Sequence, residues 1–204
     1  MPKAPNEKLI EMLFNYNALR FLEGEKVTMY APSTREEFAC GYDSKLMGAN
    51  GFEELYIQFK TPNLLENYGR SVPTTPHQHA RLLHYPPKTA YYVTHTFHEI
   101  HQVQELQRTI TSPEEFLRRY FAIEANHFEQ DVTRIRYYVY DDEHPEEITY
   151  KLRLDPGRRP SSSTARGCSE IADEPCSYVC IPVQRVDVEF FTECRSETGF
   201  SAAM

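Results

Sequence analysis

Residues Cys40 to Lys60 read CGYDSKLMGANGFEELYIQFK, and the fold turns on this stretch. Apolar and polar residues alternate on either side of Gly48-Ala49-Asn50-Gly51. That pattern predicts a hairpin in which roughly 38–47 pairs with 53–60, ended by Pro62, which has no N–H to give to a ladder. Gln58 and Lys60 lie two apart, so on a strand their side chains leave the same face. A polar pair closing a strand as apolar as Leu55-Tyr56-Ile57 needs a partner, and Asp43 on or beside the neighbouring strand is placed to supply one.

The segments around the hairpin alternate between helix and strand. Residues 6–22 carry Asn6 as a cap, with Leu9, Met12, Leu13, Tyr16, Leu19 and Leu22 at helical spacing, which predicts an amphipathic helix. Thr34 followed by Glu37 has the form of a capping box and predicts a short helical turn. Residues 75–84, with Thr75 before Pro76 and the pair Pro86-Pro87 after, predict a second short helix. The run from Thr89 to Phe97 has the length of a central strand, and Ser112, Pro113 and Glu115 open a predicted helix over 112–128. Beyond it, 133–140 and 147–154 alternate as two strands, 155–167 is a breaker-rich loop, and 177–194 reads as one or two more strands.

Length and composition bound what such a chain does. With 204 residues, 40% of them hydrophobic, it has material for one domain with a real core. The expectation is an α/β domain spanning 1–204: a central mixed sheet flanked by helices, with its core at about 6–97 and a β-rich elaboration at about 98–204. No run approaches the roughly 20 apolar residues that cross a bilayer, and the N-terminus has no apolar signal core, so a cytoplasmic protein without membrane contact is expected. Five cysteines, four of them at Cys168, Cys176, Cys180 and Cys194, lack paired CxxC spacing and read as thiols in a reducing compartment rather than as a zinc site. A formal net charge of −8 argues against broad affinity for nucleic acid.

The chemistry concentrates on the hairpin. Hard divalent cations take oxygen ligands, with one or two carboxylates, water and substrate phosphate completing the shell. Asp43 and the side-chain oxygen of Gln58 are such donors, with the backbone oxygens of Ile57 and Phe59 nearby, and the Lys60 ammonium suits orienting a water or neutralising charge on a phosphorane-like transition state.

Asp43, about fourteen intervening residues and then Gln58-Phe59-Lys60 resembles the PD-(D/E)xK, or restriction-endonuclease-like, phosphodiesterase superfamily. The resemblance implies a core of a helix, three strands, a second helix and a fourth strand. It places Asp43 on the metal-binding Asp and Lys60 on the Lys, with Gln58 where Asp or Glu is usual, as in some restriction-type and antiphage branches. It also implies a Glu from the preceding helical segment, Glu37 first and Glu36 second. The function it implies is Mg²⁺- or Mn²⁺-dependent DNA endonuclease activity, as in a restriction or antiphage effector, in a homo-oligomer or with a defence partner protein. The missing negative charge at Gln58, together with the net charge of −8, points to an alternative: a nuclease-fold protein that has lost a full metal site and serves as a partner-binding subunit.

Two further patterns accompany the hairpin. Arg134, Arg136, Lys151 and Arg153 share parity on two predicted strands and would form a basic stripe for nucleic acid if those strands pair, or simply a solvated sheet face. His77, His79, His84, His95, His98 and His101 invite a histidine-liganded metalloenzyme, although they lack a visible carboxylate partner. Under the nuclease reading, His79 and His95 are the two expected to contact nucleic acid or relay a proton. The plain structural alternative is that Gln58 and Lys60 are the wet end of an edge strand and that Glu36 and Glu37 only cap a helical turn.

Overall fold

The computed structural model describes residues 5–48, 54–64, 69–97, 99–127, 132–138, 152–156, 178–179 and 184–193. The first helix, α1 (Glu7–Phe21), starts where Asn6 accepts the Leu9 N–H at 2.7 Å. Its buried face carries Ile10, Leu13, Phe14 and Ala18, whereas Met12 and Tyr16, expected on that face, are exposed. The stripe is rotated because Phe14 is the contact residue: its ring meets Phe59 and Tyr120 edge-on at 5.2 and 5.1 Å.

Six strands form a mixed sheet: β1 (Thr28–Tyr30), β2 (Ser44–Met47), β3 (Leu55–Phe59), β6 (Ala90–His95), β7 (Tyr120–Glu124) and β11 (Gln184–Arg185) lie side by side in that order. Every pairing is antiparallel except β3 with β6, which is parallel. A parallel pair needs a crossover, and here it passes through β4 (Asn63–Leu64), β5 (Gly69–Pro73) and α3 (Pro76–Leu82). The expected hairpin is present in shortened form, since residues 38–40 belong to α2 (Thr34–Cys40) and pairing begins only after Gly41.

The sheet has helices on both faces. Leu55, Ile57 and Phe59 face α1, in a core shared with Val103 of α4 (Ile100–Thr109), Phe116 and Leu117 of α5 (Pro113–Leu117), and Phe190 and Phe191 of α6 (Val188–Glu193). On the other face Tyr92 of β6 meets His79 of α3, whose Nδ1 lies 3.1 Å from the tyrosine hydroxyl. Gln58 lies opposite Tyr92 in the β3–β6 register and so shares that second face. Asp43 has the parity opposite to Ser44, which faces α1 and receives the Asn15 side-chain N–H at 2.8 Å. Asp43 therefore belongs to the face that α2 and α3 cover.

A second, five-stranded antiparallel sheet runs β10 (Tyr178–Val179), β9 (Leu152–Pro156), β8 (Val132–Tyr138), β5 and β4. Two expectations fail downstream of β6. The helix predicted over 112–128 stops at Leu117, and Tyr120 to Ile123 run as a strand between β6 and β11. All four side chains are buried, so the segment has no polar face to present to water as a surface helix would. In the segment 177–194, two short strands are followed by a helix, α6, that inserts two phenylalanines into the core.

Candidate functional site

The site begins with how α2 starts and ends. Ser33, not Thr34, is the N-cap: its hydroxyl accepts the Glu36 N–H, and the Glu36 carboxylate accepts the Ser33 N–H at 2.8 Å. The capping box therefore sits one residue earlier than the sequence pattern suggested. It occupies Glu36 and leaves Glu37 directed elsewhere. At the other end Gly41 takes φ +85°, and its N–H closes on the Glu37 carbonyl at 2.7 Å. A Cβ at Gly41 would lie 2.7 Å from Arg81 Cβ and 2.9 Å from the Gln78 carbonyl oxygen, so the missing side chain is what lets α2 finish against α3.

The chain then turns into β2 through Asp43, whose N–H donates to the Ile57 carbonyl at 2.8 Å. The Asp43 side chain is 9% exposed. Its Oδ2 accepts two hydrogen bonds of 2.6 Å, from the Phe59 backbone N–H and from Gln58 Nε2. Gln58 is 1% exposed, and with Nε2 turned to the carboxylate its Oε1 has no hydrogen-bond partner. A buried amide oxygen left in that state costs about 1–3 kcal/mol, so its retention calls for a reason.

Electrostatics make the cluster short of positive charge. Burial is the largest influence on Asp43 and drives its acidity down; the Phe59 N–H opposes this, and the charge and hydrogen bond of Glu37 reinforce it. Lys60 works in the other direction without cancelling the rest, so the Asp43 carboxyl stands well above the usual carboxylate range. Lys60 follows β3 directly, anchored by its N–H to the Val93 carbonyl at 2.9 Å, and its Nζ donates to Gln78 Oε1 at 3.3 Å. Lys8 on α1 is held above its usual value first by Glu11 and more weakly by the charges of Asp43 and Glu37.

The structure thus groups four sequence-predicted residues, Glu37, Asp43, Gln58 and Lys60, on the α2/α3 side of the sheet. Glu36 is excluded by its capping role. Two carboxylates and an unpartnered amide oxygen are a donor set that fits a hard divalent cation. Among the described residues no three His, Cys, Asp or Glu side chains gather, so a ligand set built only from those types is absent there, and the third donor here is an amide.

The histidines do not converge. His77 donates to the Phe38 carbonyl, His84 meets the Ala80 carbonyl, and His101 pairs with Glu99. His79 and His95 are fully buried, the first on Tyr92 and the second against Phe97, so neither presents a surface to a nucleic acid as expected. The strands expected to carry the basic stripe do pair, with Arg134 opposite Asp155 and Arg136 opposite Arg153. Lys151, His98, Cys168, Cys176, Cys180 and Cys194 lie outside the described residues.

Sequence reasoning missed Gln78 and Gly41. Gln78 was within reach of a topological argument, because a helix crossing back between parallel strands starts near the C-terminal end of the first one, where Lys60 sits. Gly41 was legible as a glycine one position past a short helix. The chain matches no protein-family model, no curated protein and no solved structure.

Proposed function

We propose that this protein is a divalent-cation-dependent phosphodiesterase acting on DNA, of the PD-(D/E)xK type. The observation that carries the reading is the buried Asp43 carboxyl, paired with Glu37 and bonded to a Gln58 amide whose oxygen has no partner, two residues before Lys60. The order α1, β1, β2, β3, α3, β6 supports it, matching the helix, three strands, helix and strand that the resemblance implies once α2, inserted between β1 and β2, and the short strands β4 and β5, inserted before α3, are set aside. On this reading residues 98–193 contribute α4, α5 and α6 besides strands, and β7 and β11 extend the core sheet.

In the mechanism, Asp43, Glu37 and Gln58 Oε1 would hold Mg²⁺ or Mn²⁺, and such an ion, when bound, polarises the phosphoryl oxygen and acidifies a water. The Phe59 N–H and Gln58 Nε2 fix the orientation of the Asp43 carboxylate beside Glu37. Lys60, steadied by Gln78, supplies a positive charge against the negative charge that builds on the phosphoryl oxygens as water adds to phosphorus and the ester P–O bond breaks. The attacking water gives up a proton to solvent, and the leaving oxygen takes one up from solvent.

The test is cleavage of supercoiled, linear and single-stranded DNA and of RNA with Mg²⁺ or Mn²⁺ and with EDTA, beside Lys60→Ala and Asp43→Asn. Metal-dependent cutting lost in both variants is expected. A folded chain that neither cuts nor gains thermal stability from the ions overturns the proposal in favour of a partner-binding subunit of the same fold, a reading favoured by the neutral side chain at Gln58.

A further inference from the structure

Phe38 is the most exposed large apolar side chain among the described residues, at 67%. It is not loose. His77 stacks on one face of its ring at a centroid separation of 4.4 Å and 25° between planes, and His77 Nε2 donates to the Phe38 carbonyl at 3.1 Å. That carbonyl lies in the last turn of α2, where helix carbonyls lack an intrahelical donor, so the histidine fixes both the ring and the helix end. A rigid aromatic with one face covered and the other in water has already lost the rotamer freedom that binding would cost.

Its position relates it to the site. Phe38 follows Glu37 on α2, and His77 precedes Gln78 on α3. The same two helices therefore present one carboxylate of the pair, Glu37, and the Lys60 anchor, Gln78, and beside them the aromatic stack through residues 38 and 77. Arg35, three residues before Phe38, and Arg81, four after His77, are both exposed and lie along the same helical faces, although the chain as a whole is acidic.

We propose that the Phe38 ring is a stacking platform for a nucleobase of single-stranded DNA, with Arg35 and Arg81 on the flanking phosphates. This rests on the phosphodiesterase reading, and it names the substrate form. In a duplex the base faces are occupied by their neighbours, whereas an unpaired strand offers each base face to an exposed ring. Cations beside the ring take the backbone, and stacking discriminates little among bases.

The experiment is fluorescence anisotropy at low salt in EDTA, which prevents hydrolysis. The probes are a labelled oligothymidylate of about a dozen nucleotides, sized to a single-strand groove, an abasic strand of the same length and charge, and a duplex. The parent chain should favour oligothymidylate over both others. Phe38→Ala should weaken that binding about tenfold while leaving the abasic strand and the duplex unchanged, and Phe38→Tyr should retain it. The Arg35→Ala, Arg81→Ala pair should flatten the salt dependence of log Kd by about 1.4, the release from two phosphates of a single strand.

Equal affinity of the parent and Phe38→Ala for oligothymidylate overturns the platform. That result leaves the phosphodiesterase reading intact if the parent still cuts DNA with metal and Lys60→Ala does not. A parent that binds no strand and cuts none removes both. Phe38-dependent binding without cutting upholds the platform and removes only the hydrolytic reading.

Discussion

Gln58 gives its amide N–H to Asp43 at 2.6 Å and keeps its own oxygen without a partner. A glutamate at this position could not make that hydrogen bond unless one of the two acids carried a proton, so the neutral residue allows Asp43 and Glu37 to sit together without a cation. The same substitution leaves only two carboxylates for a cation to use. On the proposed reading, the residue at 58 would set how the cluster divides its stability between metal-free and metal-bound states.

Gln58→Glu tests that division. In EDTA a third carboxylate beside Asp43 and Glu37 removes a donor and adds a like charge, which should cost about 2 kcal/mol and lower Tm by roughly 4–8 °C. Saturating Mn²⁺ should restore the loss, and affinity for the ion should rise on the order of tenfold because the number of ligand charges increases. Thermal melts with and without Mn²⁺ measure both effects. A variant that melts like the parent in EDTA would mean that position 58 does not feel the two acids.

The raised Asp43 pKa makes a second prediction, about pH. Its folded value is pushed up to about 8 by burial and by Glu37, against an ordinary value of 3.8. Between these limits the folded chain keeps a proton that the unfolded chain has released, so stability falls as pH rises from about 4 to about 8 and levels off above. Asp43→Asn keeps an acceptor for the Phe59 N–H and has no proton to lose. Its Tm in EDTA should fall less than the parent's across that window, and parallel curves would show that Asp43 is not the group responsible.

Gly41 yields a structural prediction. Alanine there must adopt φ +85° and place a methyl carbon 2.7 Å from Arg81 Cβ. The left-handed backbone alone costs about 1–2 kcal/mol, and the contact with α3 adds to it. Because α2 carries Glu37 and α3 carries Gln78, Gly41→Ala should lose cleavage beyond what its Tm explains. Assays well below the melting temperature distinguish displaced helices from unfolding.

How much of this was legible in the sequence depended on whether the signal was local. Asn6, Thr75-Pro76 and the alternation through Leu55-Tyr56-Ile57 act within a few residues, and α1, α3 and β3 form where they point. The segment Tyr120 to Ile123 misled because its aromatic and aliphatic residues satisfy a helical stripe as well as a buried strand. Only the neighbours β6 and β11, distant in the chain, decide between them. The helix α4 was missed although Glu99 and Gln102 form a capping box before Val103, a pattern as local as any that was read. At the site, Asp43, Gln58 and Lys60 were found by strand parity, and Glu37 came from the family resemblance. The capping box was misplaced by one residue because Ser33 and Thr34 are both caps followed three residues later by a glutamate, and the hydrogen bonds decide for Ser33. Gln78 was hidden because its role depends on where α3 packs.

Lys60 and Gln78 provide the sharpest test of the hydrolytic reading. If the Lys60 ammonium stabilises charge in the transition state, Lys60→Ala should lower the cleavage rate on the order of 10²- to 10³-fold with little change in melting, since the side chain is only partly buried. Gln78 touches the site through Lys60 alone in this scheme, by the 3.3 Å bond from Nζ to Oε1, so it is a positioning residue. Gln78→Ala leaves the ammonium in place but less constrained, and the rate should fall about tenfold with KM nearly unchanged. The two effects should not add: with Lys60 gone there is nothing for Gln78 to hold, and the double variant should cut no more slowly than Lys60→Ala alone. A double variant about tenfold slower than Lys60→Ala would give Gln78 a role of its own, and a Lys60→Ala protein with the parent's rate would remove the lysine from the mechanism.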